Sequence, residues 1–108
     1  MKVDIIEKFP NGNKKHKIRY YPNGNKWYEQ FYDLQGCEHR EHNLPDYQEW
    51  YENGILYHKT YTIHGKRYNI NNPSNIKFND NGKVWFKYYY LNDYYYSKLT
   101  WMNCIKNI

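Results

Sequence analysis

Short runs rich in Tyr, Trp, Phe and Ile alternate with polar Asn-Gly dipeptides at Asn11-Gly12, Asn23-Gly24, Asn53-Gly54 and Asn81-Gly82. Asn-Gly accepts positive φ at both central positions of a type I′ turn, whose twist suits two right-twisted strands, so each dipeptide predicts a β-hairpin. A second turn follows each of the last three, at Gln35-Gly36, His64-Gly65 and Asn92-Asp93. Gly24, Gly54 and Gly82 stand 30 and 28 residues apart, and a fixed period in this range marks a repeat architecture. The chain divides into a cap at about 1–17, units at about 18–49, 50–77 and 78–101, and a tail at 102–108. The predicted fold is all-β: an antiparallel meander of serial hairpins forming a single-layer, twisted repeat sheet.

Aligned on the glycine, the units show aromatic columns. Tyr20, Trp50 and Phe78 precede it by four residues, and Trp27, Tyr57 and Trp85 follow it by three. A two-residue loop places these residues directly opposite, as pairs Tyr20–Trp27, Trp50–Tyr57 and Phe78–Trp85. Cross-strand aromatic pairs contribute roughly 0.2–1 kcal/mol each over Ala–Ala. Phe31, Tyr61 and Tyr89 follow the glycine by seven, and the two-residue period of a strand assigns them to the face of the first column. The expectation is a ladder of nine rings on one face. The first Asn-Gly has Lys8 and Lys15 at the paired positions, as suits a terminal cap.

Composition agrees with strands. Among 108 residues there are 15 Tyr and no Ala, and aromatics make up 21%, which removes the best helix former and favours pleated surfaces. A mean hydropathy of −1.20 leaves too little aliphatic content for a thick core. The net charge of +5 comes mostly from dispersed Lys, giving weak attraction to any polyanion without identifying one. No run approaches the roughly 18–20 apolar residues of a membrane span, and the charged start MKVDIIEKF does not read as a signal peptide. An intracellular protein (host cytoplasm or virion), not secreted by a signal peptide, is expected, with Cys37 and Cys104 as reduced thiols.

The cores YPNG (Tyr21 to Gly24) and YENG (Tyr51 to Gly54), with His39-Arg40-Glu41 followed by Pro45, resemble the MORN-variant repeat in its YENG…NGxxHRE…P form. Such repeats occur in tandem in large DNA viruses of protists and in bacterial proteins, some of them described as antitoxins. The resemblance covers about residues 18–101. In unit two the His-Arg-Glu positions read Arg67, Tyr68 and Asn69, while Pro73 keeps its place; unit three has no such segment. The resemblance implies an elongated single-layer sheet that acts as a scaffold or binding surface.

Candidate chemistry is sparse. Cys37, His39, Glu41 and His42 offer four possible metal ligands within six residues, and zinc takes Cys and His tetrahedrally. His39-Arg40-Glu41 is a repeat position, however, Arg40 opposes a cation, and no second ligand pair follows, so neither a metal nor a cofactor is expected. A thiolate paired with His39, His42, His58 or His64 lacks an oxyanion or nucleophile-elbow motif, and the chain reads as non-enzymatic. The stretch Lys83–Tyr90 interleaves Lys with rings, as single-strand binders do, yet Glu29, Glu49 and Glu52 interrupt the positive charge. Tyr94, Tyr96, Trp101 and Met102 have the composition enriched at protein interfaces. The expected function is a scaffold or adaptor, a minor structural or assembly-associated viral protein that binds a protein partner or larger assembly, with homo-oligomerisation possible in principle and weak non-specific nucleic-acid binding. The alternatives are a single-stranded nucleic-acid binder and an antitoxin-like bacterial binding protein.

Overall fold

The computed structural model describes residues 4–106. The strands are β1 (Ile5–Lys8), β2 (Lys14–Tyr20), β3 (Lys26–Phe31), β4 (Tyr47–Trp50), β5 (Leu56–Thr60), β6 (Thr62–Ile63), β7 (Lys66–Arg67), β8 (Asn75–Phe78), β9 (Val84–Leu91) and β10 (Tyr94–Tyr96), followed by helix α1 (Lys98–Ile105). Eight strands form one antiparallel sheet in the order β1-β2-β3-β4-β5-β8-β9-β10, and β6 pairs with β7 apart from it. The molecule measures 47 × 40 × 17 Å. The meander of serial hairpins in one layer is therefore present.

The Asn-Gly turns differ from the type I′ expectation. In each, the N–H of the Gly donates to the carbonyl three residues back: Gly12 to Phe9, Gly24 to Tyr21, Gly54 to Tyr51 and Gly82 to Asn79, all at 2.9 Å. Gly24 has φ +92 while Asn23 has no positive φ, and the other three turns match it. This is a three-residue loop closed by one left-handed glycine, the class that carries a β-bulge. The two-residue turns with positive φ at both positions are His64-Gly65 and Asn92-Asp93.

The bulge changes the ladder. Arg19 faces Tyr28 but Tyr20 faces Lys26, leaving Trp27 as the extra residue; Tyr57 and Trp85 are extra in the same way. The pairs Tyr20–Trp27, Trp50–Tyr57 and Phe78–Trp85 are thus not directly opposite. Trp27 instead stacks on Tyr21 at 5.4 Å, and Tyr57 meets Tyr51 edge-on at 5.0 Å. Nor do the two columns share a face. Trp27 lies under Arg19 and Tyr57 under Lys77, residues of the row Arg19–Tyr28–Glu49–His58–Lys77–Phe86. Phe31 stacks on His16 and Tyr89 on Trp101, on the opposite face with Ile18 and Ile76. We term these the open face and the core face.

Neighbouring turns are clamped together. The Asn Oδ1 accepts the N–H two residues on, as in Asn23 from Asn25 and Asn81 from Lys83. Its Nδ2 donates to the next turn: Asn11 to Leu34, Asn23 to Glu52, both 2.9 Å, and Asn53 to Asp80 at 3.5 Å. Tyr21 and Tyr51 hydroxyls add bonds to the carbonyls of Trp50 and Phe78.

The return segments fold over the core face. Arg40 lies over the Phe31 ring at 3.8 Å and donates to the Pro45 carbonyl. Pro45 follows Gly36 by nine residues where Pro73 follows Gly65 by eight, and left-handed His42 and Asn43 absorb the additional residue. Tyr68 N–H donates to Tyr61 as His39 N–H donates to Phe31, so Tyr68, and not Arg67, occupies the His39 position. In unit three a helix replaces the return segment, contrary to the strand expectation and across the 101/102 boundary. Ser97 caps α1 by accepting from Thr100 N–H. Trp101 packs with Tyr89 and Leu91, joined by Tyr68, Tyr96, Cys104 and Ile105, and its indole N–H bonds the Asn69 carbonyl at 2.9 Å. Among the described residues no helix is long and apolar enough to cross a membrane.

The clamps generate a prediction. Asn23→Ala removes the turn bond and one of the two side-chain bonds that the Glu52 carbonyl accepts, the other coming from Asn25, whereas Asn81→Ala removes only the turn bond. Urea unfolding should show Asn23→Ala costing about 1 kcal/mol more; equal losses would show that this inter-turn bond carries no net stability.

Candidate functional site

Three places gather groups capable of chemistry. The first joins two repeats. The Asp33-x-x-Gly36 turn matches the Asn-Gly turns, with Asp33 in the place of Tyr21, and its carboxylate accepts from the N–H groups of Gln35 and Cys37. His64 Nδ1 sits 2.8 Å from Asp33 Oδ2, and the His64 ring stacks on His39 at 4.0 Å. Burial by itself raises Asp33, but the His64 contact and the two backbone donors outweigh it and hold the carboxyl below its usual range.

Asp33, His39 and His64 place potential ligand atoms within 4.8 Å of one another. The hydrogen bonds weigh against metal binding. His39 Nδ1 accepts the backbone N–H of His64 at 2.9 Å, so a neutral His39 carries its proton on Nε2, near Glu41. A ligating imidazole uses the opposite arrangement, with its second nitrogen donating. Of the four possible metal ligands singled out in the sequence, only His39 joins this cluster. Asp33 is legible in retrospect from its spacing to Gly36.

The second place is a polar cleft of about 460 Å³ on the open face, lined by Gln30, Tyr47, His58, Thr60 and Asn75, with Glu38, Arg67 and Asp93 at its rim. Tyr47 hydroxyl donates to Glu49 at 2.8 Å, and burial first, then this carboxylate, push the phenol well above its ordinary value. Burial and then Lys77 push His58 down to about 4. Thr60 Oγ1 lies 3.1 Å from His58 Nε2. Beside the cleft, Asp46 is fully buried. Its Oδ2 accepts from Gln30, while Oδ1 has no partner, and burial raises it to about 6. Ser74 occupies the same position after Pro73 and is equally buried.

The third place is the C-terminal end of the sheet. Trp85 and Phe86 are 54% and 41% exposed, and Tyr94 and Tyr95 are 71% and 61% exposed. Tyr95 lies 5.9 Å from Tyr88, which stacks on Phe86 at 5.6 Å. Among the four residues singled out for an interface, Tyr94 and Met102 are exposed and Tyr96 is half-buried. Trp101 is 6% exposed, a core residue and not a contact surface. The sequence missed Trp85 here because the ladder assigned it to packing within the repeat, and Phe86 entered only through the Lys83–Tyr90 stretch weighed for nucleic acid.

Asp46 and His58 generate opposing pH dependences. Asp46 is raised in the fold, so its protonated form is favoured: stability is full below about pH 4 and falls as pH rises through about 6. His58 is lowered, so its stability is present above about 6.5 and lost as pH falls to about 4. Each amounts to on the order of 2–3 kcal/mol, and between pH 4 and 6 they offset one another. Asp46→Ser, which copies unit two, should therefore turn a flat wild-type profile into one that rises from pH 4 to 6.5. A variant profile parallel to wild type in chemical denaturation would contradict the assignment.

No protein-family model, curated protein or solved structure matches this chain.

Proposed function

We propose that this protein is a non-enzymatic β-repeat scaffold or adaptor that holds a protein partner at the C-terminal end of its sheet. The observation that carries the reading is the exposed surface of Trp85, Phe86 and Tyr95, joined through Tyr88, on a sheet only 17 Å thick. Exposed patches of this composition mark interaction sites. The two clusters of titratable groups serve the fold: Asp33, His39 and His64 tie one turn to the next, and Asp46 and Gln30 secure a return segment. The setting that goes with the MORN-variant resemblance is a minor structural or assembly-associated protein of a large DNA virus.

The interleaving of Lys77, Lys83 and Lys87 with Trp85 and Phe86 favours a second reading, single-stranded nucleic-acid binding through stacking and phosphate contacts. A photo-crosslinking residue placed at Phe86 in the source cells separates the two. The adaptor reading expects one discrete protein adduct, absent when the same group stands at Lys8. Adducts containing only nucleic acid, or identical adducts at both positions, would overturn it.

A further inference from the structure

The occupant of this end follows from the repeat; the inference rests on the adaptor reading and deepens it. In unit one, Tyr28, Glu29 and Gln30 of β3 pair with Glu49, Gln48 and Tyr47 of the following strand β4. In unit two, His58, Lys59 and Thr60 pair with Lys77, Ile76 and Asn75. The same positions in unit three are Phe86, Lys87 and Tyr88. Among the described residues no strand pairs with them on the side away from β8, because β10 reaches only Tyr89–Leu91.

Burial registers the gap. Trp27, Tyr28 and Glu29 are half-buried, as are Tyr57, His58 and Lys59, whereas Trp85, Phe86 and Lys87 are all exposed. The backbone direction is also set. Phe31 and Tyr61 N–H groups donate outward to the carbonyls of Asp46 and Ser74, the residues that lead into the following strands β4 and β8. Ladder bonds alternate along a strand, so Glu29 and Lys59 point the same way, and in unit three so does Lys87. The adjoining turn is unfilled too: Asn11, Asn23 and Asn53 each donate to a neighbouring turn, while Asn81 keeps only its own turn bond.

Charge selects the partner. Lys77, Lys83 and Lys87 stand around the open edge. The segment that fills the equivalent edge in unit one, Asp46 to Gly54, carries Asp46, Glu49 and Glu52 and no basic residue. A second copy fits poorly: seven strands from β1 to β9 alternate in direction, so a copy translated along the sheet brings β1 parallel to β9, and a two-fold copy, although antiparallel, sets Lys83 and Lys87 against the same lysines. We infer that the outer edge of Val84–Tyr88 takes an extended acidic segment of a partner protein as an added antiparallel strand, its backbone bonding Lys87 and its alternate side chains lying beside Phe86 and Tyr88.

The probe is a synthetic peptide with the sequence of residues 44–55, LPDYQEWYENGI, titrated into the full chain and followed by NMR. A scrambled peptide and an oligo-dT strand are the comparators. The expected result is binding at least tenfold tighter than the scramble, shifts centred on residues 84–88, and slowed exchange of the Lys87 amide. Lys87→Pro removes the outward donor at a position where an edge strand tolerates proline, and it should weaken binding tenfold or more without a comparable loss of melting temperature. Should that variant not fold, Lys87→Glu serves, with the same expected loss.

Equal binding of the scramble, or full binding by both variants, would overturn the added strand. In the second case the adaptor reading stands, with the aromatic face as its surface. Binding of oligo-dT without the peptide would overturn it in favour of nucleic acid. Protection of the Lys87 amide by self-association alone would assign the edge to a second copy.

Discussion

A left-handed glycine at the close of each Asn-Gly turn is the constraint on which the rest of this structure depends. It lengthens the loop by one residue and places a bulge three residues later, at Lys15, Trp27, Tyr57 and Trp85. That residue is turned away from the strand's regular alternation. The rings at this position consequently serve the open face, while Phe31, Tyr61 and Tyr89 serve the core face. A plain two-residue turn would have put all of them together and left the open face only rings such as Tyr28, Tyr47, Phe86 and Tyr88.

A sheet one layer thick has no opposing layer in which to bury its side chains, and the buried set reflects this. Gln30, Asp33, His39, Asp46, Thr60, Thr62, Asn69 and Ser74 outnumber the buried apolar residues. Polar groups so placed need partners, and they find them across repeats, Asp33 in His64 and the Asn69 carbonyl in Trp101, or on an adjacent strand of the same repeat, Asp46 in Gln30. Lateral cohesion comes from these bonds and the turn clamps. Among the described residues an apolar cluster of buried side chains forms only where α1 closes the array. The Asp46 carboxyl is the costly member of this set, its burial raising its proton affinity where unit two has a serine.

The repeat period, the strand positions and the meander were legible because aromatic runs and Asn-Gly turns recur at nearly constant spacing. Turn class was not, since Asn-Gly is compatible with both a two-residue loop and a three-residue loop with a bulge. Which forms depends on the hydrogen bond from glycine to the residue three before it. The face assignments inherited that error. Helix α1 escaped because a segment such as Lys98–Ile105 lacks a strong amphipathic stripe and owes its place to Ser97 and Trp101. The Asp33–His64 contact joins residues 31 apart through adjacent turns, a proximity that only the sheet order supplies.

These features combine in one physical picture: a flat array whose units hold one another edge to edge and whose last unit exposes what the earlier ones cover. Small-angle X-ray scattering of the purified monomer tests this most directly. The account predicts a lamellar particle about 17 Å thick with a radius of gyration near the 15.2 Å of the Cα trace. A compact two-layer fold of this length would give about 13 Å, and that value, with an isotropic distance distribution, would contradict the single-layer array.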